Sequence, residues 1–346
     1  MQISRKELIK AFATCKPAIA SQNRAVELSH YWLDGETLSA YNGNMIISTP
    51  IDLDVIGGVP DTVLDWLKKV DGETVNLSSV DGKLSISSGK SKGNFALLDL
   101  SRRIYTPEID LDDLGLPPIT LNASLIEALD NVSVSQDSKA TAPAKLGVFL
   151  YPRQDNLDLY ATDDYTITKQ TVPLQDTISD SLLFLNHIVI PFSFVEQIIE
   201  YKDSSGACVY LSDRMAILYA EPVTIISGLI ECSAMPKFDE IIESFEAPTI
   251  PVPEDLTEAL DRLSQIPGPI EMIINNNILH LACESQGSRA EEQFPLVGSH
   301  TGGIMVKLDP RLLKRVAKGR SYLGIKSKGL YLTGPEQYTH IMAGVK

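Results

Sequence analysis

Arg311, Lys314, Arg315 and Lys318 recur at i, i+3, i+4 and i+7, which puts four cations on one face of a helix and leaves Leu312, Leu313 and Val316 to bury on another. Arg320 extends the row. Four like charges on one face repel, and no Glu stands four residues ahead of them, so a phosphate backbone is the partner whose chemistry fits the stripe. Arg5, Lys6, Lys10 and Lys16 repeat the habit more weakly near the N-terminus, and Lys68 and Lys69 close a second helical stretch. The middle of the chain breaks the pattern with Glu127, Asp130, Glu196 and Glu200 and has only Lys202 nearby. No helix-turn-helix, zinc finger or aromatic stacking motif accompanies these cations, so they are expected to touch phosphates without reading bases.

Catalytic chemistry is hard to assemble from the remaining residues. There is no GxxxxGK[ST] or GxGxxG loop to cradle a nucleotide. The five histidines are isolated from one another and from the cysteines, and none has zinc spacing. Asp163 and Asp164 are adjacent, and adjacent residues of a strand point to opposite faces, which argues against a shared metal. The expectation is a protein that is not an enzyme and carries no catalytic residues, metal or cofactor. Cys15, Cys208, Cys232 and Cys283 form no CxxC pair and suit buried, reduced thiols in a cytoplasmic protein. No apolar run approaches the roughly 18 residues that span a bilayer, and Met1 to Lys6 lacks a signal-peptide apolar block.

The elements that would position these residues repeat along the chain. Trp32–Tyr41, Tyr151–Tyr160 and Ile273–Ala282 each place Asp, Asn or Gly at a turn and resume apolar alternation, which is the pattern of a β-hairpin. Their matching leucines, Leu38, Leu157 and Leu279, lie 119 and 122 residues apart. A second hairpin set follows the same rhythm: Val75–Leu77 with Lys83–Ile86, Cys208–Leu211 with Met215–Leu218, and Tyr322–Ile325 with Leu330–Leu332. Helices are expected to start near Ser4, Asn122 and Pro253, with apolar stripes Leu8/Phe12/Cys15, Leu125/Leu129/Val132 and Leu256/Leu260/Leu263. Further helices are expected over 60–70, 193–201 and 309–317, with Pro60 and Pro310 in their first turns. The fold class is therefore α+β, in three tandem helix/β-hairpin domains over 1–117, 118–246 and 247–346, joined at the proline-rich stretches 116–118 and 247–253.

That division changes the meaning of the charge. The 346 residues carry 30 basic and 45 acidic side chains, net −15, which by itself argues against a protein that coats nucleic acid with its whole surface. By thirds the net charge is −4, −12 and +1, so the acidity lies mostly in the middle. Apolar residues at 44% and charged residues at 22% are those of a globular chain.

Several stretches, in order, resemble the bacterial-type DNA sliding clamp, the beta subunit of the replicative DNA polymerase, and the likeness extends over the whole chain. Leu159-Tyr-Ala-Thr-Asp-Asp-Tyr-Thr-Ile167 is similar to that family's Ala-Thr-Asp-Gly-His-Arg-Leu segment, and Ser88-Gly-Lys-Ser-Lys-Gly-Asn-Phe95 to its Ser-Gly-basic-Ser-basic-Phe stretch. Tyr105-Thr-Pro107 with Leu111-Asp-Asp113, Val189-Ile-Pro191, Lys237-Phe238 and Asn275 to Glu292 resemble further family segments. The resemblance implies a phage or cellular processivity factor, cytoplasmic and nucleoid-associated, in which two chains close head to tail into a ring around duplex DNA, with helices inside and sheets outside. It implies DNA contacts at Arg5, Lys6, Lys10, Arg24, Lys68, Lys69, Arg311, Lys314, Arg315 and Lys318. It implies a dimer joint that brings Lys90, Lys92, Phe95 and Leu97 of one chain to Glu284, Glu291 and Glu292 of the other. It also implies an apolar cleft for short peptides of the polymerase and clamp loader, at Leu146, Thr162, Asp164, Tyr165, Thr166, Ile167, Phe238, His340, Met342, Ala343 and Gly344. The chain departs from the family there. Gly-His-Arg-Leu becomes Asp164-Tyr165-Thr166-Ile167, the Met-Pro-Met tail becomes Met342-Ala-Gly344, and no Pro follows Phe238. A non-enzymatic scaffold of three tandem α+β domains without DNA binding, and a hydrolase whose site is assembled only in three dimensions, are the competing readings.

Overall fold

Short polar residues set many of the element boundaries. Ser4 accepts a hydrogen bond from the Glu7 amide (3.4 Å), Asn122 from Leu125 (2.8 Å) and Asp309 from Arg311 (2.8 Å), and a helix begins after each. The tight hairpin turns are made where the chain tolerates a left-handed backbone: Asp81 and Gly82 have φ 50° and 69°, and Asn276 and Asn277 have φ 49° and 60°. The computed structural model describes residues 1–20, 25–106, 109–111, 115–137, 141–173, 188–232, 236–297, 303–326, 329–335 and 337–345. Of the residues singled out above, Arg24, Pro107, Asp112 and Asp113 lie outside the described residues.

The chain divides into two compact units, Met1–Leu121 with Glu200–Leu229, and Asn122–Ile199 with Ile230–Lys346. In chain order the elements are β1 (Gln2–Ser4), α1 (Arg5–Cys15), β2 (His30–Asp34), β3 (Thr37–Tyr41), β4 (Met45–Pro50), β5 (Ile56–Pro60), α2 (Thr62–Lys69), β6 (Thr74–Val80), β7 (Lys83–Ser88), β8 (Ser91–Ala96) and β9 (Ile119–Thr120). There follow α3 (Ala123–Val132), β10 (Gly147–Pro152), β11 (Asn156–Thr162), β12 (Thr166–Pro173), β13 (Ile188–Pro191), α4 (Phe192–Glu200), β14 (Cys208–Leu211), β15 (Met215–Ala220) and β16 (Val223–Gly228). The remainder is α5 (Phe238–Phe245), β17 (Thr249–Pro251), α6 (Leu256–Leu263), β18 (Ile270–Asn275), β19 (Ile278–Ser285), β20 (Ser288–Pro295), β21 (Ile304–Leu308), α7 (Pro310–Ala317), β22 (Tyr322–Lys326), β23 (Gly329–Gly334) and β24 (Tyr338–Ala343).

Each unit holds one eight-stranded and one four-stranded sheet. The first unit has β5-β2-β3-β4-β16-β15-β14-β9 and β1-β6-β7-β8; the second has β13-β10-β11-β12-β24-β23-β22-β17 and β20-β19-β18-β21. All six hairpins expected from the sequence are present and antiparallel. The large sheets arise because β4 pairs with β16, and β12 with β24, across more than 150 residues of chain. The joint 116–118 belongs to no element, but Ile119–Thr120 directly after it pairs as a short edge strand with β14, and within the joint 247–253 Thr249–Pro251 pairs likewise with β22.

Two helix starts differ from expectation. Pro60 ends β5 and the helix begins at Thr62, while Pro253 precedes a turn in which its carbonyl accepts from the Leu256 amide (3.1 Å). Pro310 does occupy the first turn of its helix. Helix α5 is new relative to the sequence reading.

The leucine stripes are buried as their spacing requires. In the second unit Leu256, Leu260 and Leu263 of α6 and Leu313 and Val316 of α7 share one core with Leu279, Leu281, Leu330 and Leu332 of the sheets. Each such fully buried side chain stabilises the fold by about 1.5–3 kcal/mol relative to exposure. In the first unit Phe12 of α1 meets Tyr31 of β2 edge to face, with ring centroids 4.7 Å apart. Among the described residues no helix is long and apolar enough to cross a membrane, and no group of three or more His, Cys, Asp or Glu is placed to hold a metal ion.

Candidate functional site

Helix α7 carries its cations outward, as its spacing predicts. Arg311, Arg315 and Lys318 are exposed and Lys314 is half-buried, while Leu313, Val316 and Ala317 form the buried face. Compensation comes from one tertiary neighbour, Asp261 of α6, which pairs with Lys314, and from the helix's own N-cap residue Asp309, which Arg311 reaches (3.3 Å). Burial works against the charge of Asp309, yet hydrogen bonds from Arg311 hold its carboxyl below the usual carboxylate range. Arg315 donates weakly to the Ser133 carbonyl (3.4 Å).

Arg320 leaves the row it was expected to extend. Its guanidinium turns inward, 3.4 Å from the centroid of the Tyr338 ring, and donates to the Val316 carbonyl (3.1 Å) and to Asn131 Oδ1 (2.8 Å). Burial lowers its pKa from the ordinary arginine value.

In the first unit Lys6 and Lys10 are exposed on α1, and Lys68 and Lys69 are exposed in the last turn of α2, where the helix dipole favours cations. Arg5 is half-buried and donates to the Leu67 carbonyl (3.1 Å), tying α1 to α2. Lys16 is paired with Asp61 (3.4 Å).

The residues assigned to a chain–chain joint lie on or beside two edge strands: Lys92 and Phe95 on β8 with Lys90 and Leu97 flanking it, and Glu291 and Glu292 on β20 with Glu284 on the neighbouring β19. β8 ends the small sheet of the first unit, and β20 ends that of the second. Lys90 and Lys92 are exposed; Phe95 and Leu97 are half-buried, with Phe95 edge-on to Trp66 at 5.7 Å. On the other edge the acids already have partners within the chain. Glu292 accepts from Arg262 (2.7 Å), and Arg289 lies between Glu284 (3.6 Å) and Glu291. The Arg262 hydrogen bond holds the Glu292 carboxyl below its ordinary value. Sequence reading missed both arginines.

The segments assigned to a peptide cleft come together only in part, and face parity decides which residues do. Ile167 pairs with Ile341 across the β12–β24 seam, and both join Phe149, Tyr160, Val189, Phe238 and Ile242 in one apolar cluster on the outer face of the sheet. Thr166, His340 and Met342 point to the opposite face, where Met342 joins the core under α6 and α7. The resemblance missed Phe149, Tyr160 and Ile242. Strand alternation separates Ile341 from His340 and Met342 within the matched tail: neighbours of a residue on a strand face the other way.

At the rim, Tyr165 is 69% exposed and Ile241 is 39% exposed. Asp164 is exposed, Thr162 is buried, and Leu146, Ala343 and Gly344 are half-buried. Asp164 has φ 76°, a conformation that glycine adopts without penalty, and it stands where the resembling family has Gly. Its carboxylate pairs with Lys145.

Helix α5 is pinned over this cluster by a charged and aromatic network. Phe238 stacks on Tyr160, with ring centroids 4.9 Å apart, and meets Phe149 edge-on at 5.1 Å. Asp239 Oδ1 accepts from the Tyr160 hydroxyl (2.9 Å) and Lys169 Nζ (2.8 Å), and Arg153 lies within 3.4 Å of its other oxygen. Burial opposes ionisation of Asp239, but these donors outweigh it and hold the carboxyl below its usual range. Asp158 accepts from Arg153 (3.1 Å) and Thr171 (2.6 Å) beside it. The arrangement is a buried apolar cluster roofed by α5, with a polar margin and the exposed side chains of Tyr165 and Ile241 beside it.

No family model matches the sequence, and no curated protein matches it. Solved structures do match. The beta subunit of the DNA polymerase of Streptococcus pyogenes covers 100% of this chain and 99% of its own at 18% identity, with TM-score 0.81. The sliding clamp (DNA polymerase III subunit beta) of Bartonella birtlesii bound to griselimycin gives 100%, 99%, 17% and 0.83. The DNA polymerase III beta subunit of Thermotoga maritima gives 100%, 98%, 15% and 0.81. At such identities the likeness establishes the fold, which is the α+β fold of the DNA sliding clamps.

Proposed function

We propose that this chain, whose fold is that of the DNA polymerase III beta sliding clamps, is a polymerase processivity factor without enzymatic activity. Two copies join head to tail by pairing the β8 edge of one with the β20 edge of the other and close a ring around duplex DNA. Such pairing removes strand edges that would otherwise recruit other chains. Each chain contributes three clamp domains, 1–117, 118–246 and 247–346. The cations of α1, α2 and α7 meet phosphates without reading bases, and the contacts are few and exchangeable, because tight ones would stop sliding. The apolar cluster under α5 takes short peptides of the replicative polymerase and the clamp loader. The protein works in the cytoplasm, at the nucleoid.

One observation carries the reading: a clamp fold over the whole chain, with Arg311, Arg315 and Lys318 exposed on one face of α7. The test is retention on DNA. The loaded protein is expected to stay on covalently closed circles and to leave linear duplex of the same length; equal loss from both overturns the proposal. Charge reversal at Arg311, Lys314 and Arg315 together is expected to weaken DNA binding and to lower the slope of log K against log salt by about 2–3. Unchanged processivity in that variant removes α7 from the DNA contact.

A further inference from the structure

A line of buried polar side chains runs behind the apolar cluster, on the helix-facing side of the same sheet. His340 Nδ1 lies 2.7 Å from Thr168 Oγ1, which lies 2.7 Å from Ser135 Oγ. Ser135 Oγ is 2.8 Å from Thr166 Oγ1, and Thr166 Oγ1 is 2.9 Å from Asp163 Oδ1. Ser135, Thr166, Thr168 and His340 are all fully buried.

Each hydroxyl owns one hydrogen, and a carboxylate can only accept. Thr166 Oγ1 donates towards both Ser135 Oγ and Asp163 Oδ1, so its one hydrogen is shared between them. Between Ser135 and Thr168, and between Thr168 and His340 Nδ1, either atom is able to donate. His340 Nε2 has no partner. Burial and the nearby Arg320 push the His340 pKa down to about 3, so the ring stays neutral and keeps one donor.

The far end of the line is the turn at the cluster's rim. Asp163 Oδ1 also accepts from the backbone amides of Tyr165 (2.9 Å) and Thr166 (2.6 Å). Thr162 Oγ1 donates to the Thr166 carbonyl (2.8 Å) and accepts from the Asp164 amide (3.2 Å), and the Ala343 amide donates to the Tyr165 carbonyl (2.7 Å). The exposed Tyr165 thus projects from a backbone held on every side, and a preordered aromatic loses less freedom when it binds.

We propose that Asp163, Thr166, Ser135, Thr168 and His340 form one hydrogen-bond chain that positions the Tyr165 turn, so that ligand binding on the outer face of the sheet is set from its buried face. The inference rests on the reading of the apolar cluster as a ligand cleft. These are positioning residues and none touches the ligand.

The experiment uses the full chain and griselimycin, the molecule held by the Bartonella birtlesii clamp, as the probe. Thr168→Val keeps the shape and removes the hydroxyl; Thr168→Ser keeps the hydroxyl and removes a methyl. Thr168→Val is expected to weaken griselimycin binding by about fivefold or more, the equivalent of one lost hydrogen bond, and Thr168→Ser to bind within about twofold of wild type. A purely packing role gives the reverse order and overturns the proposal, as does wild-type binding by both. Tyr165→Ala, at an exposed position, is expected to abolish binding. If griselimycin is not bound, or is bound regardless of Tyr165→Ala, the cleft reading fails and the inference with it. If it is bound at Tyr165 and Thr168→Val is silent, the inference alone fails.

Discussion

The two eight-stranded sheets share one strand order yet differ on their outer faces. In the second unit Phe238 covers Tyr160 of β11, and α5 continues over β23 and β24. In the first unit Tyr105 takes the corresponding place over Tyr41 of β3, with ring centroids 5.2 Å apart and its hydroxyl 3.0 Å from Ser39 Oγ. Among the described residues no helix lies between Tyr105 and β9. The outer face of β4, β16, β15 and β14 instead borders a groove of about 720 Å³, lined by Ser48, Thr224, Tyr219, Tyr210, Ile109 and Leu111. The connectors explain the contrast. Phe238-Asp-Glu-Ile-Ile-Glu-Ser-Phe245 places apolar residues three, four and seven apart, as a helix needs, whereas Ile109-Asp-Leu-Asp-Asp113 alternates and is acidic. One scaffold repeated twice supports a capped apolar cluster in one copy and an open, hydroxyl-lined groove in the other.

Removing the two aromatic lids should separate the copies most. Phe238→Ala is expected to cost about 3–5 kcal/mol in denaturant unfolding, because it empties a buried stack. Tyr105→Ala, at a half-buried position, should cost about 1–2 kcal/mol. Equal losses would erase the distinction between the lids.

Titration should separate them next. His340 of the second unit is buried neutral, with its pKa lowered from 6.5 to about 3. The unfolded chain binds that proton first, so stability should decline as pH falls from about 6.5 towards 3, and His340→Leu should flatten the decline between pH 6.5 and 5. An unaltered profile in the variant would show that other groups dominate.

Asp239 should give a smaller effect of the same sign. Its folded pKa is lowered, so its contribution is present above the ordinary value of 3.8 and is lost as pH falls through the folded value. Asp239→Asn should therefore destabilise α5 at pH 7, and its deficit should close below pH 3.8. Amide exchange in 238–245 measures it. The least effect is expected in the open groove, which Thr37 also lines; Thr37→Ala should change stability by no more than about 0.5 kcal/mol.

Much of the fold was legible because its signals are local. Ser4, Asn122 and Asp309 announce helix starts by cap chemistry, Asp81-Gly82 and Asn276-Asn277 announce turns by backbone tolerance, and the α7 stripe follows from spacing alone. The candidate cleft was half legible. Ile167 and Phe238 were found, but His340 and Met342 were placed with them although they lie on the other side of the strand, since a shift of one residue reverses the face.

The sequence by itself determined the repeat, the hairpins, the apolar stripes and the outward cations, because periods of two and about 3.6 residues are written along the chain. Only the tertiary structure decided which partners those residues meet. Asp261 beside Lys314, Arg262 beside Glu292, Arg320 folded onto Tyr338, Phe238 on Tyr160 and the line from His340 to Asp163 all join distant segments. Their meeting depends on strand register and sheet order, which no local pattern encodes.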